Sequence, residues 1–234
     1  MQFESSTLEG KILKRYKRFF ADIELPDGQV ITAHLANTGS MKSCFEPGWR
    51  ALVTHHDSPT RKLKYSLEFT GNDETWIGVN TSIPNKLFKE ALEQKQLAQF
   101  SDYDLIHPEY KIGESRLDFF LQDSKKELVD CFIEIKNVTM RGEGRVALFP
   151  DAKSERGQKH LQELIKLKEQ GFRCAMVYII QREDVNSFAP ASEIDPIYAK
   201  LLNQASLAGV EIYPYQCELS STGVTIKKLL PYSL

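Results

Sequence analysis

Phe132-Ile133-Glu134-Ile135-Lys136 is an apolar run broken by one carboxylate and one ammonium. On an extended strand alternate side chains share a face, so Ile133 and Ile135 point one way and Glu134 and Lys136 the other. The surrounding stretch, ELVDCFIEIKNV, is apolar enough for an interior strand. A charge there needs a partner, because burying it unpaired costs several kcal/mol or forces neutralisation. Upstream, Arg116-Leu117-Asp118-Phe119-Phe120 places Asp118 on a face with Arg116 and Phe120. Paired as a hairpin, the two strands would let Asp118 and Glu134 converge. Two carboxylates held together repel, and a divalent cation removes the repulsion. Mg²⁺ (or Mn²⁺) suits such a pair, completing its shell with water and phosphate oxygens. Lys136 would then face an attacking water or a phosphate oxygen. The expectation is a site for phosphodiester hydrolysis with Asp118, Glu134 and Lys136 as catalytic residues and Asp118 and Glu134 as metal ligands. The bland alternative is a Glu134–Lys136 ion pair on a half-exposed strand, and spacing alone leaves both open.

Outward from this run, strands alternate with helices. HPEYKIG and SRLDFFLQ read as strands before it. Residues 154–170 have a helical period with Leu161, Leu164 and Ile165 on one face and Gly171 as the stop. FRCAMVYII is the continuous apolar run of a strand buried on both faces. Asp195-Pro196 opens a helix that ends at Gly209, and GVEIYPYQCEL reads as the last strand. Ser82-Ile83-Pro84 opens another helix through PNKLFKEALEQKQLAQF. The order from there is α-β-β-β-α-β-α-β, an α/β domain over residues 83–234.

Residues 1–82 read differently. Five or so short strands are punctuated by PDG, NTGS and EPG, which suggests a small β-barrel of the oligonucleotide/oligosaccharide-binding kind. The expected boundary lies at residue 82. With 234 residues, either one or two domains is allowed, and neither needs staples to fold. Composition is that of an ordinary globular chain, 41% hydrophobic and 26% charged, with no apolar run of bilayer length and no apolar leader. The expectations are a cytoplasmic protein and no membrane partner. Cys44, Cys131, Cys174 and Cys217 form no CxxC pair, as reduced buried cysteines would not.

Net charge is −2, so partners must be sought in local clusters rather than in the sum. Arg15, Tyr16, Lys17, Arg18 and Phe19 interleave cations with rings, the mixture that tracks phosphates and stacks on bases. Strand alternation would put Arg15, Lys17 and Phe19 on one face and Tyr16 and Arg18 on the other. The alternative is a solvated edge strand. The start of the helix after Phe149-Pro150-Asp151-Ala152 offers Arg156, Gln158, Lys159 and His160 beside free backbone donors, a candidate phosphate contact or a plain polar helix start. Asn37-Thr38-Gly39-Ser40-Met41 reads as a ligand loop or a turn.

RYKRFFAD, NTGSM, GESRLDFFL, FIEIKNVT and FPDAKSERGQKHL, in this order, resemble the sugar fermentation stimulation protein A family across essentially the whole chain. The resemblance implies an N-terminal OB-fold barrel and a C-terminal PD-(D/E)XK restriction-endonuclease-like αβββαβ domain. It also implies DNA binding without sequence preference and a regulatory role in maltose metabolism. Asp118 matches the first acidic position of the nuclease motif, with Leu117 where that motif is named for Pro. Glu134 and Lys136 match its ExK element, Gln158 a helical glutamine of some relatives, and Arg116 the SRxD stretch. A homodimer is compatible with the resemblance by analogy. Three readings follow: a metal-dependent nuclease acting on DNA or RNA, a DNA-binding protein without catalysis, and a sugar-binding protein.

Overall fold

The computed structural model describes residues 1–113 and 115–234; Glu114, within the GESRLDFFL motif, lies outside them. The N-terminal strands are β1 (Thr7–Tyr16), β2 (Phe20–Glu24), β3 (Val30–His34), β4 (Arg50–His55), β5 (Tyr65–Gly71) and β6 (Trp76–Gly78). Their order is β3-β2-β1-β4-β5-β6, and a parallel β3–β5 pairing at Ala33/Tyr65 and His34/Ser66 closes the sheet on itself. A register shift between Ile12 and Lys14 bends β1 so that it pairs with both β2 and β4. Buried Ile12, Ala21, Ile23, Ile31 and Ala33 alternate with half-buried or exposed neighbours and fill the barrel interior.

The β1–β2 connection corrects the expected strand faces. Lys17 and Arg18 are not extended: both have left-handed φ, 49° and 63°, in the turn after which Phe20 pairs with Tyr16. Lys17, Arg18 and Phe19 therefore stand out together at the hairpin tip.

The C-terminal part begins with α1 (Ile83–Glu93), followed by β7 (Leu105–Ile112), β8 (Ser115–Gln122), β9 (Cys131–Val138), β10 (Met140–Arg141) and β11 (Val146–Phe149). Then come α2 (Glu155–Glu169), β12 (Arg173–Ile180), β13 (Ser187–Pro190), α3 (Pro196–Leu207), β14 (Glu211–Ser220) and β15 (Gly223–Leu229). The main sheet has the order β15-β14-β12-β9-β8-β7, with β9, β12 and β14 parallel. Cys174 to Ile180 on β12 are wholly buried, as a strand covered on both faces requires. One face packs on α1 and the other on α2 and α3. The strands β10, β11, β13 and β15 extend the order expected from sequence. The first three have only two to four residues and form a separate small sheet, while β15 carries Thr225, Lys227 and Lys228 on an edge.

Asp195, 1% exposed, ties the starts of α2 and α3 together. Its carboxylate accepts from Tyr198 N at 2.9 Å as the α3 cap, from Ser154 N at 2.9 Å and from Gln158 Nε2 at 2.9–3.0 Å.

Barrel and sheet share a core: Leu52 and Phe69 of the barrel pack in the same cluster as Leu87 and Phe88 of α1 and Ile133 of β9. The junction is also polar. Gly78 N donates to Gln181 O at 2.8 Å. Arg182, 2% exposed, pairs through two nitrogens with Asp184 at 2.7 Å and donates to Ser43 O at 3.1 Å and Thr139 O at 2.6 Å. Removing Arg182 leaves a buried carboxylate with Arg141 as its remaining ion-pair partner at 2.8 Å. Arg182→Ala is expected to cost about 3 kcal/mol, read as a lowered urea midpoint.

Candidate active site

Strands β8 and β9 pair antiparallel through Leu121/Cys131, Phe120/Phe132 and Phe119/Ile133, and the ladder stops there. The same register continued would set Asp118 opposite Glu134 and Leu117 opposite Ile135. Instead Ile135 N donates to Asp118 Oδ2 at 2.7 Å, so a side chain takes the place of the neighbouring strand. The alternation of β8 breaks at this point. Leu117 joins the cluster beneath α2, whereas Phe119 joins the one beneath α1. Asp118 sits in the fork, with its Oδ1 accepting from Asn85 Nδ2 of α1 at 2.7 Å.

Glu134, 2% exposed, lies on the α2 side of β9. Its Oε1 accepts from Lys136 Nζ at 2.5 Å and from His160 Nδ1. Arg156 Nε donates to His160 Nε2 at 3.4 Å, which leaves the imidazole proton on Nδ1, directed at Glu134. His160 thus holds Glu134 and has no nitrogen left to take a proton from substrate. Glu134 Oε2 is buried with no hydrogen-bond partner among the described residues.

The two carboxylates are driven in opposite directions. Burial, then the charge of Glu134, lifts Asp118 to about 6. Burial also pushes Glu134 up, but His160 and Lys136 together outweigh it and hold Glu134 below the usual range. A persistent anion with a bare oxygen beside a second, repelled carboxylate suits a hard divalent cation. The described residues hold no group of three or more His, Cys, Asp or Glu placed to ligate one metal ion, so water and substrate oxygens would complete such a cation's shell.

The other expected contact residues scatter. Arg116 is exposed and pairs with Glu109 at 2.9 Å. Lys159 is exposed on α2. Gln158 turns to Asp195, so the α2 start already holds an anion and is not an open phosphate cradle. Arg15 donates to the carbonyls of Asn37 at 3.1 Å and Gly39 at 3.2 Å, and Tyr16 OH to Asp22 at 3.2 Å; both are half-buried, with their polar groups tied to the barrel. Lys17 and Arg18 remain exposed. Asn85 was not expected from the sequence. Its signal is its place in the first turn of the predicted α1, facing a strand that carries the site's aspartate. All four cysteines are buried and unpaired. No helix among the described residues is long and apolar enough to cross a membrane.

A family model described as the sugar fermentation stimulation protein RE domain matches residues 82–223, and one described as the SfsA N-terminal OB domain matches residues 13–79. The chain belongs to the sugar fermentation stimulation protein family. It joins an N-terminal OB barrel to a restriction-endonuclease-like α/β domain. Sugar fermentation stimulation protein homologs from Geotalea uraniireducens and Bdellovibrio bacteriovorus are 44% and 45% identical to it. The first alignment covers 97% of this chain and 96% of the relative, the second 100% of each. A solved structure of Pyrococcus furiosus SfsA in complex with Ca²⁺ superposes with a TM-score of 0.87 at 30% identity, covering 100% of this chain and 98% of that one.

The raised value of Asp118 makes a stability prediction. The folded state binds this proton more tightly than the unfolded chain, so stability is lost as pH rises from about 4 through about 6 and the loss persists above. In EDTA, Asp118→Asn should therefore gain on the wild type by up to roughly 3 kcal/mol between pH 4 and pH 7.5. Urea titrations at the two pH values would show it; an unchanged difference would contradict the assignment.

Proposed function

We propose that this protein binds nucleic acid, DNA in the first instance, and hydrolyses a phosphodiester at Asp118, Glu134 and Lys136 with a divalent cation such as Mg²⁺ or Mn²⁺. Residues 1–82 serve as the binding barrel and 83–234 as the nuclease-like domain. The observation that carries the reading is the unpartnered, buried Glu134 Oε2 beside the repelled carboxylate of Asp118. The Ca²⁺ in the Pyrococcus furiosus relative supports a divalent-cation site of this kind here.

Asp118 and Glu134 would hold the cation. When bound, it supplies positive charge to phosphoryl oxygens and lowers the pKa of water. Lys136 keeps its ammonium at the same point, 2.5 Å from Glu134 Oε1, where negative charge builds up on the phosphoryl group. His160 and Arg156 orient Glu134 from α2, and Asn85 with Ile135 N orients Asp118. All these groups come from one chain, so the chemistry does not call for a homodimer. Lys17, Arg18 and Lys159 are exposed cations suited to phosphates, which would bind a strand without reading its sequence. A role in maltose regulation enters this proposal only as a consequence of DNA binding.

Plasmid, single-stranded and branched DNA incubated with Mg²⁺ or Mn²⁺ should be cleaved, and EDTA should abolish it. Glu134→Ala should lower the rate about 100-fold or more, the equivalent of roughly 3 kcal/mol. Undiminished cleavage in that variant would overturn the assignment. The closed Glu134–Lys136–His160 network favours a second reading, a nuclease fold that only holds DNA. Its signature is salt-sensitive binding, equal in wild type and variant, without cleavage. Under either reading, binding should weaken with salt, and Lys17→Ala with Arg18→Ala should reduce the log–log slope by about 2. A flat salt dependence would remove both.

A further inference from the structure

One residue past Lys136, at the end of β9 where barrel meets sheet, lies a cavity of about 210 Å³. Its walls come from four stretches of chain. The barrel contributes the loop Asn37-Thr38-Gly39, the approach to α1 contributes Thr81, the end of β9 and the start of β10 contribute Asn137 and Met140, and the end of β11 with the residues after it contributes Phe149 and Asp151. The loop is held in place. Arg15 grips its carbonyls, and Ser40 N donates to Asp151 Oδ2 at 3.2 Å. Gly39 lets the loop come up against the Asp151 carboxylate, which would have to move to admit a Cβ there. Met41, at the loop's end, has a left-handed φ of 53°, a conformation rarely held by a residue with a side chain.

The lining describes its occupant. Among the described residues no lysine or arginine lines the cavity, and one carboxylate does, so a backbone phosphate is excluded. Asn37 spends its Oδ1 on Gly39 N at 2.8 Å, which leaves its NH₂ without a protein acceptor among the described residues. Asn137 has one amide end engaged by Gln181 at 2.7 Å and the other left over. Asp151 adds acceptor capacity, and half-buried Phe149 adds a ring. The space is below the ~300 Å³ of ordinary small-molecule sites, yet equals about seven waters at ~30 Å³ each. That is room for a single heterocycle with donors and acceptors on its edge. Parallel strands present ligands at their carboxyl ends, where this cavity opens beside the catalytic strand.

We infer that this junction cavity receives one unpaired nucleobase of the bound strand, with Asn37, Asn137 and Asp151 on its edge and Phe149 against its ring. The inference rests on the nucleic-acid reading above and adds to it a base-dependent step. An exocyclic amine on the base would be the group that Asp151 accepts from.

The test scans a single-stranded oligonucleotide, in Ca²⁺, with one abasic site moved along it, and repeats the scan with 2-aminopurine. One position should stand out. Loss of its base should weaken binding about tenfold, and 2-aminopurine there should brighten on binding as it leaves the stack. Asp151→Asn keeps the volume and still accepts from Ser40, but it should shift base preference at that position while binding of the abasic strand stays within about twofold. Binding that is uniform along the scan and unchanged in preference by Asp151→Asn would overturn the pocket while leaving the nucleic-acid reading intact. No binding of any oligonucleotide would overturn that reading, and the pocket with it.

Discussion

The backbone N–H of Ile135 donates to a carboxylate, Asp118, and not to the strand beside it. That single bond opens the fork between β8 and β9. Pairing through Phe119/Ile133 brings the strands together with aromatic packing, Phe120 on Phe132 at 4.6 Å between centroids. One residue further the strands part and Asp118 fills the gap. A ladder continued to Leu117 would give the sheet another backbone bond. It would also seal the position at which two carboxylates and an ammonium meet.

Burial gives these charges their properties. A buried carboxylate is costly unless paired and hydrogen-bonded. Glu134 is satisfied on one oxygen by Lys136 and His160 and left bare on the other. Asp118 receives two donors but also feels Glu134, and burial tips the balance towards its protonated form. Carboxylates driven apart in this way are prepared for different tasks. Glu134 remains an anion across the ordinary pH range, and Asp118 becomes one only as pH passes about 6.

Strong periodic patterns made much of this visible beforehand. The continuous apolar run of β12, the strands β8 and β9, the helices α2 and α3 with their Ser154 and Asp195 caps, and the barrel's alternation all follow from side-chain pattern and turn chemistry. What the pattern hid depends on tertiary structure. Lys17 and Arg18 turn a hairpin without the Gly or Asn that usually marks one. Two-residue β10 and four-residue β13 are strands only because a partner pairs with them. His160 looked like one more polar residue at a helix start; only the packing of α2 against β9 brings it onto Glu134. Gln158, two residues earlier, points the other way to Asp195, a contact spanning 37 positions that no local pattern encodes.

The central claim, that Asp118 and Glu134 form one divalent-cation site, is most directly met by calorimetric titration of Mn²⁺ into the protein at pH 7.5 and pH 5. The account predicts binding to the wild type that weakens about tenfold at pH 5, because Asp118 with a value of about 6 must first lose its proton, and no binding to Glu134→Gln. Equal binding by wild type and variant, or affinity indifferent to pH across that interval, would contradict it.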